Sequence, residues 1–552
     1  MKKQMKKTNL YALLLLLFIT MLACNDDNLD VVPRDKFSDA NVWVDEGASD
    51  LFLNDVYNRI MPDFNNTYDP IENWSDNAIC GYAWPRSRNT IQRSLQNPTN
   101  NPFAHISDYL RWDVVYNNIR RTNVFIKNVT ESTALSDDFK KLRLAEARFL
   151  RAYAYQWLYM TYGGVPLIEV PLDRVEQGED IFYPRSTAEE TVQFITSECA
   201  AIYVDLPTTP EQGRIGKGAA MALKGWVELY AGKWADAAAS NKKIMDELDY
   251  DLHPDYEGFF LLKPGEANVE GILYRQYFPP AKGGRLDGFI GPTFTDGGAE
   301  TSWGGCNPTQ ELVDDYAMDN GKPIDDPTSG YDPQNPYENR EPRFYQSIVY
   351  NGSYFYNHTF SMVEGSKNAI DLTDKDDATQ TGYYFRKRLD DKTLTLGAAN
   401  WNGRTSYQNY NCFRYAEVLL NYAEAQNEAV GPDLSVYDAV NEVRDRAGIP
   451  DLPLGLSQDD MRTAIRRERR VELAFEDKRF WDLLRWKTAE VNINKPLTGV
   501  KITEGPTGLV YEYVDATGGD RQFDASKNYL FPIPQSAIEA NSELQGDQNP
   551  GY

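Results

Sequence analysis

Residues 216–248 read GKGAAMALKGWVELYAGKWADAAASNKKIMDEL. Gly225, Gly232, Trp234 and Ala237 fall where a two-helix repeat unit places small residues and a ring. Gly225 and Ala237 let two antiparallel helices approach closely, and Gly232 makes the turn between them. The stretch therefore predicts a tight helical pair, and the helical patterns on either side predict a scaffold built from such pairs.

Upstream, Trp112, Tyr116, Ile119 and Ile126 recur at three- and four-residue steps and mark one buried helical stripe. Leu142, Ala145, Phe149, Ala152, Gln156 and Tyr159 trace a second helix, ended by Gly163-Gly164 and Pro166. Ser186-x-x-Glu189 has the form of a capping box opening a third helix through Ile195 and Ile202. Downstream, helices are predicted over 413–428, 435–447 and 457–488. Between them, residues 251–410 lose the helical period and crowd Gly, Pro, Asn, Asp and aromatics together. In a helical protein such a stretch supplies ordered functional loops with short strands, one of them over 383–388. The tail from 491 is predicted to be extended, with a short helix near 535–540.

The first residues address the chain. Lys2, Lys3, Lys6 and Lys7 precede an apolar run from Leu10 to Ala23, too short to span a bilayer, and Cys24 follows. This reads as a bacterial lipoprotein signal (residues 1–23) with Met21 where Leu is usual, acylation at Cys24, and a polar tether over 24–44. The remaining divisions are a helical region 45–250, a loop-rich region 251–410 and a helical and extended region 411–552, packed as one compact unit.

A net charge of −25 disfavours nucleic acid and leaves attachment to a bilayer to the lipid. Beyond Cys24, the cysteines Cys80, Cys199, Cys306 and Cys412 contain no C-x-x-C pair. They allow three full pairings. Cys199 lies on a helix as a small buried hydrophobe. Cys80 and Cys306 both fall in aromatic loops, where a bond between them is one option.

Catalytic signatures are missing. The three histidines lie far apart, with no G-x-S-x-G elbow and no phosphate-binding loop. A glycosidase needs only two carboxylates, which an acid-rich chain does not exclude. In 463–486, charges flank an apolar helical face, a pattern that forms structural ion-pair networks.

Several segments together resemble the SusD/RagB family of outer-membrane glycan-binding lipoproteins: GRIGKGAA at 213–220, RYAEVLLNYAEA at 414–425, RRERRVELAFE at 466–476 with RFWDLLRW at 479–486, LFPIP at 530–534, and QNPGY at 548–552. The resemblance implies a mainly α fold of tetratricopeptide-like helical pairs with a loop-rich face. It implies a non-catalytic protein without cofactor or metal, held on the outer membrane by its lipid. Such a protein captures oligosaccharide or polysaccharide and delivers it to a SusC-like TonB-dependent transporter. Capture of peptides by the same fold, and surface glycoside hydrolysis, are the alternatives.

A glycan platform needs rings for the C–H faces of sugars and polar side chains for their hydroxyls. By position in the family's fold, Asp76 with Arg86 or Arg88 resembles the hydroxyl-binding pair, and Trp84 a stacking ring. In the centre, Phe289, Phe294 and Trp303 sit among glycines, which points to rings displayed on turns. Trp303 is the second expected platform, followed by Tyr331 and Tyr354.

Overall fold

The computed structural model describes residues 39–64, 67–82, 86–100, 102–103, 108–293, 295–296, 299–300, 302–373, 378–392, 406–517 and 521–552. Cys24, Trp84 and Phe294 lie outside them.

The longer helices are α1 (Glu46–Ile60), α2 (Trp112–Glu131), α3 (Asp137–Tyr162), α4 (Ala188–Ile202), α5 (Lys217–Tyr230), α6 (Trp234–Glu247), α7 (Tyr415–Val430), α8 (Leu434–Ala447), α9 (Gln458–Glu472) and α10 (Arg479–Arg485). Each from α1 to α8 packs on the next, so α6 meets α7 directly although about 170 residues separate them in the chain. In the α5–α6 pair, Gly232 turns the chain at φ 71°, and a Cβ at Gly225 would stand 2.6 Å from the Asn241 amide nitrogen. The pair predicted from 216–248 is thus fixed by its small residues.

The described strands form only two-stranded ladders. These include β1 (Ala78–Ile79) with β3 (Asn307–Pro308), β2 (Gly271–Arg275) with β6 (Tyr410–Arg414), β4 (Ile348–Val349) with β5 (Tyr384–Phe385), and β7 (Thr498–Gly505) with β8 (Gly508–Asp515). One large core runs from Val42 through the helices to Phe531, Ile533 and Leu544. A second joins the central loops to Val471, Phe475, Val500 and Ile502. The tail is woven in: Phe531 N–H donates to the Thr161 carbonyl at 2.8 Å, the Asn549 amide to that of Tyr162 at 3.0 Å, and Arg185 to Asn549 Oδ1 at 2.6 Å.

Three local expectations change. The capping box sits one residue later, at Thr187 and Glu190. Ser186 is occupied by a chain crossing, its carbonyl pressed on Gly164 and its N–H on Val165. The strand expected over 383–388 shrinks to β5, because Lys387 and Arg388 turn away to bury their charges. The helix expected over 457–488 breaks after Glu472, with Phe475 and Asp477 at φ 62° and 59°.

Buried charge explains the break. The last carbonyls of α9 have no helical partner and end inside the protein, where bare acceptors are costly. Arg414 and Lys387 each donate to the Glu472 carbonyl at 2.9 Å, and Lys387 also donates to Ala474. The break then aims both acids at the same cations. Glu472 accepts from Arg414 at 2.7 Å and Arg343 at 2.8 Å, and also from Arg446. Glu476 takes two bonds from Arg414 at 2.7 Å and one from Lys387 at 2.8 Å. Arg414 also holds Glu270 beside β2 at 2.7 Å. Burial alone raises both acids, but the cations outweigh it. Glu472 is held well below the usual carboxylate range and Glu476 is drawn down to about 2.

Removing the central cation leaves buried acids without it. Arg414→Met is expected to cost ~3–5 kcal/mol in urea unfolding. Because Glu476 titrates lower in the fold than its free value, the stability it contributes is full above about pH 4.5. It is lost as pH falls toward about 2, a loss that Glu476→Gln removes.

Candidate functional site

The two loops singled out in the sequence meet. In β1–β3, Ala78 faces Pro308 and Ile79 faces Asn307. Beyond the ladder the backbones stay in contact: a Cβ on Gly81 would lie 2.1 Å from the Gly304 carbonyl oxygen, so only glycine fits there. The helical turn Ile71–Trp74 is tied to the same place by the Asn73 amide, which donates to Gly305 O at 3.0 Å. Arg521, arriving from the tail, donates to the carbonyls of Trp74 and Ser75 at 3.0 and 2.6 Å. Burial lowers its guanidinium to about 10.

Upon this base stands Trp303, half-buried. Its ring lies 5.5 Å from Phe289, tilted by 41°, and 6.0 Å edge-on from Tyr82. The Tyr82 hydroxyl donates to the Phe289 carbonyl, and Tyr68 backs Phe289 at 5.7 Å. Trp303 N–H is fixed to Gly288 O at 3.1 Å. The indole is thus braced by rings that are themselves packed, and it stays partly exposed. Beside this base runs a depression lined by Ile79, Arg88, Gln92, Gln380, Thr517 and Arg521. It encloses only about 20 Å³, and of its lining Gln92, Gln380 and Arg521 are buried while Arg88 and Thr517 are half-buried.

The other expected residues divide. Arg88 is half-buried on this rim and donates to Tyr82 O at 3.3 Å. Arg86 opens the one-turn helix Arg86–Asn89, and its side chain lies outside the described residues. Phe289 is buried and acts as the support of Trp303, not as a contact surface. Tyr354 is 64% exposed, on a hairpin tied to the Phe289 turn by Tyr356, whose hydroxyl donates to Asp287 at 2.7 Å. Tyr331 stands on a different ledge, 5.8 Å from the Arg340 guanidinium and hydrogen-bonded to Tyr513.

Asp76 is corrected. It is 4% exposed, and its two oxygens accept from Arg479 at 2.8 and 2.9 Å, with Arg470 at 3.4 Å. Burial pushes its pKa up, yet the two guanidinium groups hold it well below the usual range. Its hydrogen-bonding capacity is spent inside the fold, where it fastens the first loop to α9 and α10.

Sequence reading missed Tyr82, Tyr68, Gln380, Thr517 and Arg521. Tyr82 carried a signal, since it lies two residues before Trp84 in the same loop. The last three are brought in by tertiary folding alone. A larger cavity of about 500 Å³ lies elsewhere, between the start of α2 and the tail, lined by Trp112, Tyr116 and Pro532 among others.

Against this geometry, the family model described as SusD family matches residues 274–552, half of the chain, and a second, described as starch-binding associating with outer membrane, matches 52–229. The chain belongs to the SusD family. A SusD-like protein of Bacteroides fragilis NCTC 9343 is similar at 30% identity over 93% of this chain and 99% of its own, with a TM-score of 0.78. A SusD-like carbohydrate-binding protein of the same organism is 28% identical over 91% of this chain and 99% of its own, with a TM-score of 0.76. SusD-like protein P2 of Formosa agariphila is 26% identical over 462 residues, 80% of each chain.

Under these loops lie two buried acids, Glu72 and Asp477, for which burial outweighs the nearby cations Lys387 and Arg388. Burial, then the nearby Asp477 charge, raises Glu72 to about 7; burial raises Asp477 to about 6. Glu72 therefore binds its proton more tightly in the fold than in the unfolded chain. Its contribution is full below about pH 4.5 and is lost as pH rises through about 7. Glu72→Gln is expected to gain on the parent by on the order of 1–3 kcal/mol between pH 5 and 8, read by denaturant unfolding across that range.

Proposed function

We propose that this SusD-family protein is a non-catalytic surface lipoprotein, anchored through Cys24. It captures oligosaccharide on the Trp303 platform and passes it to a SusC-like TonB-dependent transporter. The observation that carries the reading is the half-buried indole braced by packed rings at the junction of two loops, with the half-buried Arg88 donating to Tyr82 O beside it. An aromatic face accepts the C–H surface of a pyranose, while the polar border meets its hydroxyls. The Bacteroides fragilis relative described as carbohydrate-binding supports the ligand class. The acids near the platform support a binding role over hydrolysis: Asp76 is consumed by two arginines, and Glu72 and Asp477 are buried beneath the loops. In this reading Trp84 and Arg86 extend the platform and Tyr354 borders it, whereas Tyr331 is a separate aromatic contact.

Native affinity electrophoresis of residues 25–552 through gels containing different polysaccharides tests the proposal. Selective retardation by one of them is expected. Trp303→Ala is expected to weaken that binding by ~1–3 kcal/mol, and Trp303→Phe by less. Arg88→Ala is expected to weaken binding without lowering the melting temperature, whereas Asp76→Asn lowers the melting temperature first. Uniform mobility in every gel, with binding to oligopeptides by calorimetry, would replace glycan with peptide as cargo. Release of reducing ends from a bound polysaccharide would overturn the non-catalytic role.

A further inference from the structure

The β1–β3 ladder ends at Ile79 and Asn307, one residue short of a cysteine on each strand. Ile79 faces Asn307, so the next opposed pair is Cys80 and Cys306. Thr309 N–H donates to Asn77 O at 2.9 Å, which makes 77 and 309 a hydrogen-bonded pair. Alternation along an antiparallel ladder makes 78 with 308 a non-bonded pair, as Pro308 requires, and likewise 80 with 306. At such positions the Cα atoms lie ~4.5 Å apart and the side chains are closest. That separation falls within the ~4.4–6.8 Å that a disulfide spans. Past the cysteines Gly81 approaches Gly304, one residue from its register partner Gly305, so the backbones stay close although the ladder has ended. Ala78, two residues before Cys80, shares one core with Cys306. Both thiols are buried, at 0% and 1% exposure.

We propose that Cys80 and Cys306 form a cross-strand disulfide in the exported protein, stapling the two loops beneath the Trp303 platform. The bond forms by exchange with a disulfide oxidant. One cysteine, as thiolate, attacks the oxidant and releases its first thiol; the other then attacks the mixed disulfide and releases the second. The two cysteines lose two protons and two electrons, and the oxidant is reduced to two thiols. Burial, with Glu72, Asp477, Cys80 and Asp69 around it, pushes the Cys306 thiol far up. Thiolate is therefore scarce once the loops have closed, and the exchange belongs to folding. Cys199 and Cys412 are buried in the helical core and stay as thiols.

The test is peptide mapping of the mature chain recovered from an oxidising export compartment, alkylated during denaturation and digested without reductant. A peptide pair joining Cys80 to Cys306 is expected, lighter than its separate parts by two hydrogens and resolved by reduction, with Cys199 and Cys412 alkylated. Recovery of Cys80 and Cys306 in alkylated form overturns the proposal. Reductant is also expected to lower the melting temperature of the parent but not of the double variant Cys80→Ser, Cys306→Ser; an equal fall in both counts against it. Both readouts are independent of glycan binding, so the staple and the glycan reading fail separately.

Discussion

Arg414 sits where β6 becomes α7, fully buried, and holds the carboxylates of Glu270 just before β2, of Glu472 at the end of α9 and of Glu476 past the break. Lys387, Arg343 and Arg446 close the same knot. Charges removed from water in this number are tolerable only when nearly every donor and acceptor has a partner. The knot is therefore satisfied by one arrangement of the chain. A helix that ran on past Glu472 would carry Glu476 away from Arg414, and a shifted β2–β6 register would displace Glu270. Hydrophobic cores accept many packings, while this set of ion pairs accepts few.

From the knot the constraint passes to the face that carries Trp303. The break after α9 exposes the Phe475 N–H to Glu72 at 2.9 Å, and Asp477 accepts from the Glu72 N–H at 3.1 Å. Those bonds set the turn at 71–74, whose Asn73 grips Gly305 two residues from Trp303. Asp76, a few residues on, is clamped by α9 and α10. Thus a loop near residue 75 is positioned by residues near 475, and through Asn73 it reaches the backbone beside Trp303.

This route explains what was legible beforehand. The α5–α6 pair is written in local spacing, where Gly225 and Gly232 act on neighbours within twenty residues, and it reads correctly. The charged stretch 463–486 also reads correctly as structural, because its apolar face repeats at helical intervals. The break at 473–478 does not, since it depends on donors at 387 and 414 that no local pattern announces. Asp76 misleads for the same reason: an acid among aromatics resembles a ligand contact until Arg470 and Arg479 are seen beside it. Trp303 among its glycines reads as a ring on a turn, and the structure sets it half-buried where the two loops meet, whereas Gln380, Thr517 and Arg521 come near these loops only through tertiary folding.

The interlacing of the tail has a temporal side. Thr161 and Tyr162 are completed by Phe531 and Asn549, and Ser94 bonds Asn528 at 2.6 Å. Contacts that span most of the chain close large loops and slow the approach to the native state. They also prevent the amino-terminal half from maturing as it emerges, because its closing partners are synthesised last. Until residues 528–549 are available, the carbonyls of Thr161 and Tyr162 and the Ser94 hydroxyl lack these partners, so the amino-terminal helices are closed by the last segment of the chain.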